Sequence, residues 1–170
     1  MDTKKFLKAI LGTHATMSFV ELFMYVLLSG IFRDNTIFQW TVFVFLVALY
    51  WFMIYLEASK IGENNLKRGS FKRTRGFIVG LYATIPALIL YIAALIYRPL
   101  KFLLHIWLSP YIRLFVSFED AMPHLAILTA LLLPIVTGVS YIDGIRRRNK
   151  LLKAIEEKRS KKEELSKMDN

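Results

Sequence analysis

The chain of 170 residues has no cysteine. Disulfides, thiolate metal sites, a cysteine nucleophile and iron–sulfur ligation are therefore excluded, and the redox compartment leaves no mark on the sequence. Proline occurs only five times and glycine eight times, too few for a collagen-like or low-complexity chain. Acidic side chains are in deficit, with 13 Asp and Glu against 23 Lys and Arg and a formal charge of +10. No Walker loop, Rossmann glycine run, serine elbow or paired-histidine helix motif occurs. The expectation is a protein that is not an enzyme and needs no cofactor.

Apolar residues are what the chain has in excess. They make up 55% of it, where about 45–50% is usual for a soluble domain, and mean hydropathy is +0.43. The excess is concentrated in four stretches that carry no Lys, Arg or Asp over about 20 residues each, enough to cross ~30 Å of hydrocarbon as helix. This excludes an ordinary soluble enzyme, a secreted disulfide scaffold and a disordered tail protein. The pattern predicts an all-α membrane bundle of four transmembrane helices in one domain, residues 1–145, with spans near 13–32, 36–57, 77–97 and 122–143. A charged helical tail, residues 146–170, follows. The link Arg33-Asp34-Asn35-Thr36 is so short that the first two spans must form an antiparallel hairpin. Lys4, Lys5 and Lys8 precede the first run, which contains Glu21 and no small-residue cleavage site, so it reads as a retained signal-anchor.

Orientation follows from the cations. Three precede span one, six lie from Lys60 to Arg75, and ten lie from Arg146 to Lys167; only Arg33, Arg98, Lys101 and Arg113 fall elsewhere. The positive-inside rule places both termini and the middle loop in the cytoplasm of a plasma-membrane, multi-pass protein. A fifth span over 99–118 would put the basic tail outside and leave Arg113 in hydrocarbon, at ~2.5–3.5 kcal/mol on insertion scales. The segment is expected instead as an interfacial or re-entrant helix pair bent at Pro110, with Trp107, Tyr111 and Phe115 at headgroup level.

Span one carries His14, Ser18, Glu21, Tyr25 and Ser29, whose spacing puts all five on one helical face. An acid in hydrocarbon is costly and normally faces the bundle interior with a partner. No Lys or Arg is expected at the depth of Glu21, so it is read as neutral, hydrogen-bonded to Tyr82, Thr84, Thr137 or Ser140. A structural role is favoured over a proton or cation site. On span three, Gly76, Gly80, Ala83, Ala87 and Ala94 align as a seam for close helix packing, against span one or a second subunit. Pro86 and Pro134 are candidate kinks.

Span four ends in Gly138, Tyr141, Asp143 and Gly144, then Arg146, Arg147 and Arg148. Tyr141 suits the interface, and the three arginines suit anionic lipid headgroups at ~1 kcal/mol each. The basic loop 67–75 is explained by topology, and nucleic acid is not the expected partner. His105, Glu119, Asp120 and His124 share the predicted outer side but match no metal spacing, so no metal site is expected. The function expected from these features is a non-enzymatic membrane subunit or scaffold, acting by helix packing and a basic cytoplasmic surface. Its partners would be the lipid bilayer with anionic headgroups and another membrane protein or a second copy. A small transporter or channel component built on the Glu21 stripe, or a membrane immunity protein, is the alternative.

Overall fold

The computed structural model describes residues 3–32 and 35–168, with side chains except at position 120 and from 162 onward. Arg33 and Asp34 of the first link lie outside the described residues. Four long helices dominate: α1 (Thr3–Ile31), α2 (Thr36–Lys67), α3 (Arg75–Ile96) and α6 (Met122–Met168). Two short helices, α4 (Lys101–Trp107) and α5 (Ile112–Ser117), lie between α3 and α6, and the 3-10 turn Ser109–Tyr111 joins them. No strand occurs among the described residues. Four helices are long and apolar enough to cross a membrane. The outside of the bundle is apolar too: Phe19, Phe45, Ile89 and Ile135 are all exposed, the reverse of a water-facing surface.

The helices run past the apolar cores that define them in the sequence. α1 begins ten residues before position 13, and its first turns bury Phe6 and Ile10. α2 continues to Lys67 because Ala58, Ile61, Gly62 and Asn65 bury a second face against α6. At the start of α2, the Asn35 side chain accepts from the Phe38 N–H at 2.9 Å, an N-cap that satisfies an otherwise orphan donor of the first turn. At its end Gly69 takes φ +63°. Its N–H reaches the Leu66 carbonyl and that of Ser70 reaches Asn65, both at 3.0 Å. This is the Schellman pattern, and it requires a residue that tolerates the left-handed region.

α6 is the central element, packing chiefly on α2 and α3. Glycines bring the three backbones together. A Cβ on Gly62 would collide with the Tyr141 carbonyl oxygen, and one on Gly144 with that of Ser59. On α3, a Cβ on Gly76 would stand 2.7 Å from the Tyr141 Cβ, and one on Gly80 would strike the Pro134 backbone. Pro134 lacks the N–H that would serve the Ala130 carbonyl within the helix. Thr84 of α3 fills that vacancy: its hydroxyl donates to the Ala130 carbonyl at 3.2 Å, shared with Gly80 at 3.0 Å.

The start of α1, the loop after α2 and the end of the packed part of α6 meet at one end of the bundle. Phe6 stacks on Tyr141 at 5.5 Å and Phe71 at 6.5 Å, and the Asn65 amide donates to the Tyr141 hydroxyl at 3.1 Å. Tyr141 is therefore a buried hub, not a solvent-facing anchor ring. The three basic clusters of the sequence share this end. Beyond it α6 continues as helix, with Leu151, Leu152 and Ile155 exposed.

Candidate functional site

The polar face of α1 turns inward. His14, Ser18 and Glu21 are buried, and Tyr25 and Ser29 half-buried. What they meet is the α4–α5 hairpin. The Ser18 hydroxyl donates to the Trp107 carbonyl at 3.1 Å, and the Ser109 hydroxyl donates back to the Ser18 carbonyl. This reciprocal pair fixes the hairpin tip against the middle of α1. Tyr111 and Phe115 are buried as a result, where the sequence suggested headgroup-level rings. The Tyr111 ring lies beside those of Tyr50 at 6.2 Å and Trp51 at 6.3 Å.

Above and below the tip lie two small cavities. One, of about 30 Å³, is lined by Glu21, Tyr25, Ser29, Gln39, Ser109 and Arg113 together with apolar side chains. Glu21 is 2% exposed, and its Oε1 has no hydrogen-bond partner. The Nε of Arg113 is likewise buried without a partner, while its guanidinium carbon lies 5.6 Å from the centre of the Trp40 ring. Two oppositely ionisable groups thus share one cavity with no direct bond between them. Space of this size holds about two waters.

The second cavity, of about 10 Å³, is lined by His14, Tyr50, Thr84, Trp107, Tyr111 and Thr129 among others. His14 Nδ1 pairs with the Tyr50 hydroxyl at 2.9 Å. Its ring lies 4.8 Å from that of Trp107, and its Nε2 is buried without a partner. This cavity has room for about one water, which would satisfy that nitrogen.

Several expected arrangements differ. Glu21 bonds to none of Tyr82, Thr84, Thr137 and Ser140: Tyr82 is exposed, Thr84 serves Ala130, and Thr137 is buried with a free hydroxyl. Arg113, which the sequence places in an interfacial or re-entrant segment, lines the Glu21 cavity. The signal was present in Ser109-Pro110 followed by Arg113. A run of about 20 residues broken at its middle can fold back and carry an arginine inward, where a straight span could not.

The seam residues Gly76, Gly80, Ala83, Ala87 and Ala94 are all buried. Gly76 and Gly80 abut α6, and Ala83 and Ala87 line the His14 cavity. Of the three arginines after Gly144, Arg146 is exposed. Arg147 is engaged by Asp143 at 3.3 Å and Glu63 at 3.6 Å, and the Nε of Arg148 is buried. Tyr55 donates to the same Asp143 carboxylate at 2.7 Å, so this cluster ties α2 to α6.

No group of three metal-ligating side chains assembles among the described residues. Asp120 has no described side chain, and His124 is exposed. His105 stacks on Phe115 at 5.8 Å. Burial lowers its affinity for a proton, Lys101 lowers it further, and Glu119 opposes both.

These features define an all-helical bundle with membrane-length helices and a polar interior beneath a helical hairpin. No family model, no curated protein and no solved structure matches the chain.

Proposed function

We propose that the chain is a non-enzymatic integral membrane protein working as a small transporter or channel component through the cavity at Glu21. Four spans place both termini in the cytoplasm, and the α4–α5 hairpin is re-entrant from the opposite face. The observation that carries the reading is the pair of buried atoms without hydrogen-bond partners, Glu21 Oε1 and Arg113 Nε, in side chains that line one cavity. A purely structural buried acid is normally satisfied by its neighbours. A carboxyl and a guanidinium left open to the same small space suit a guest. Re-entrant, non-spanning backbone at membrane depth is tolerated where protein or a cavity surrounds it, and the buried Ser18–Ser109 contact supplies that surrounding.

The test is flux in proteoliposomes containing the full chain. The wild type dissipates an imposed pH or salt gradient, and Glu21→Gln folds as a monodisperse species yet loses most of that flux. Equal leak from wild-type, Glu21→Gln and protein-free vesicles overturns the reading.

A second reading, a membrane subunit or scaffold, is favoured by the helix beyond position 148. Its residues 149–161 are exposed along their length, with Leu151, Leu152 and Ile155 on a helix no other element covers. Capture of one stoichiometric membrane partner in mild detergent, lost when the chain is cut after position 148, is the result expected of it.

A further inference from the structure

We propose that the Glu21 cavity is a site for one small monovalent anion of chloride size, taken up together with one proton. This deepens the transport reading above and rests on it.

The donor inventory points to an anion. The Ser29 hydroxyl proton is committed to the Val26 carbonyl and that of Ser109 to Ser18; the Gln39 amide donates to the Phe32 carbonyl at 2.8 Å. That leaves the Arg113 N–H, the carboxyl of Glu21 and the Tyr25 hydroxyl. A metal or ammonium cation needs several oxygen ligands; the Tyr25, Ser29 and Ser109 hydroxyls and the Gln39 amide line the space with the Glu21 carboxyl, but the Arg113 guanidinium among them repels a cation. Around these groups the walls are apolar, including Val42, Phe43, Leu46 and Pro110. Such walls suit an ion that surrenders its water easily. A cavity of about 30 Å³ excludes organic substrates and admits a monatomic ion or waters.

Charge balance fixes the stoichiometry. The charged group facing Glu21 across the cavity is Arg113 of α5; α2 contributes the neutral Gln39, and α1 contributes Tyr25. Tyr50 and Tyr111 also lie within electrostatic reach of Glu21, and both are neutral phenols. His14 is two turns away, in the other cavity. With Glu21 ionised, carboxylate and guanidinium cancel, water bridges them, and an anion is repelled. With Glu21 protonated, the site carries one uncompensated positive charge and two donors, the Arg113 N–H and the carboxyl O–H. An anion accepts from both. Proton and anion therefore enter and leave together, and no covalent bond other than O–H changes.

Chloride is the probe, with the full chain in non-ionic detergent on a gluconate background. Chloride-35 line broadening reports binding, and proton uptake from a weakly buffered solution reports coupling. The wild type should broaden the line and, at pH values where Glu21 of the anion-free protein is ionised, take up one proton per chloride, the uptake falling to none where Glu21 is already protonated. Its affinity should weaken about tenfold per pH unit once Glu21 ionises. Glu21→Gln keeps a donor and loses the charge, so it should bind chloride independently of pH and take up no proton. Arg113→Gln should abolish the broadening, and Arg113→Lys should restore part of it. Wild-type broadening no greater than that of Arg113→Gln at every pH overturns the proposal, as does chloride binding without proton uptake at every pH up to the most alkaline at which chloride still binds. If Glu21-dependent flux persists in vesicles while chloride fails to bind, the anion inference falls alone. If both fail, the transport reading falls with it.

Discussion

Gly144→Ala tests the close crossing of α2 and α6 with a single methyl group. The Ser59 carbonyl carbon stands 2.7 Å from the Cβ position and ordinary contact begins at 3.4 Å, so the helices must part by more than about 0.7 Å. The carbonyl oxygen is closer still. Both obstacles are backbone, and no rotamer change relieves them. Forcing an extra methyl into such a contact costs ~1–3 kcal/mol, and the upper part of that range applies where backbone meets backbone. Replacing glycine by alanine within a helix returns about 1 kcal/mol of intrinsic propensity. The net loss is about 1–2 kcal/mol, and at ~2–4 °C per kcal/mol for a domain of this size Tm falls by about 2–8 °C. Gly12 is the matched control, because a Cβ there meets nothing within 4 Å. Gly12→Ala should therefore raise Tm by about 2–4 °C. The assay is a tryptophan-fluorescence melt in mild detergent, with size exclusion to confirm a single species. A Gly144→Ala protein that melts at or above Gly12→Ala refutes the argument.

Thr84→Val should lose ~1–2 kcal/mol by leaving the Ala130 carbonyl without a donor beside Pro134, and Thr84→Ser should recover most of it; equal melting of the two variants would remove the cross-helix bond from the account. Joint replacement of Ser18 and Ser109 by alanine should speed amide exchange at residues 107–112 while α2, α3 and α6 stay protected, and uniform protection throughout would show that the tip is fixed by packing alone. Cysteines introduced singly at Thr74 and Ser117, both exposed, should react with an impermeant thiol reagent only from the inside and only from the outside of intact cells respectively. Reaction of Thr74→Cys from outside would overturn the orientation drawn from the cations.

The four long helices were legible because apolar runs of about 20 residues are hard to place elsewhere. Their ends were less so. α2 runs on to Lys67 because Ala58, Gly62 and Asn65 meet α6, and a partner distant in sequence leaves no trace in local hydropathy. The inward face of α1 was legible from the spacing of His14, Ser18 and Glu21. Their neighbours were not: the arginine that shares the Glu21 cavity comes from position 113, in a segment whose hydropathy leaves interfacial and re-entrant placements equally open. The cost of burying Arg113 is real in a straight helix, but the hairpin changes what surrounds it. The buried role of Tyr141 was hidden for a similar reason. A tyrosine next to a basic cluster suits an interface, and only the glycines at 62 and 76 open the space that encloses it.

The placement of the glycine contacts divides the bundle by stiffness. α2, α3 and α6 touch backbone to backbone at Gly62, Gly76, Gly80 and Gly144, and such contacts have no side-chain torsions through which to yield. α1 shares none of them: neither of its glycines has a neighbour within 4 Å. It meets the hairpin through side-chain hydroxyls and aromatic rings, which have torsions of their own through which to yield. The molecule is thus a rigid three-helix slab with a softer pair, α1 and the hairpin, laid against it. Amide exchange should therefore be fastest along the seam between them, where both cavities lie.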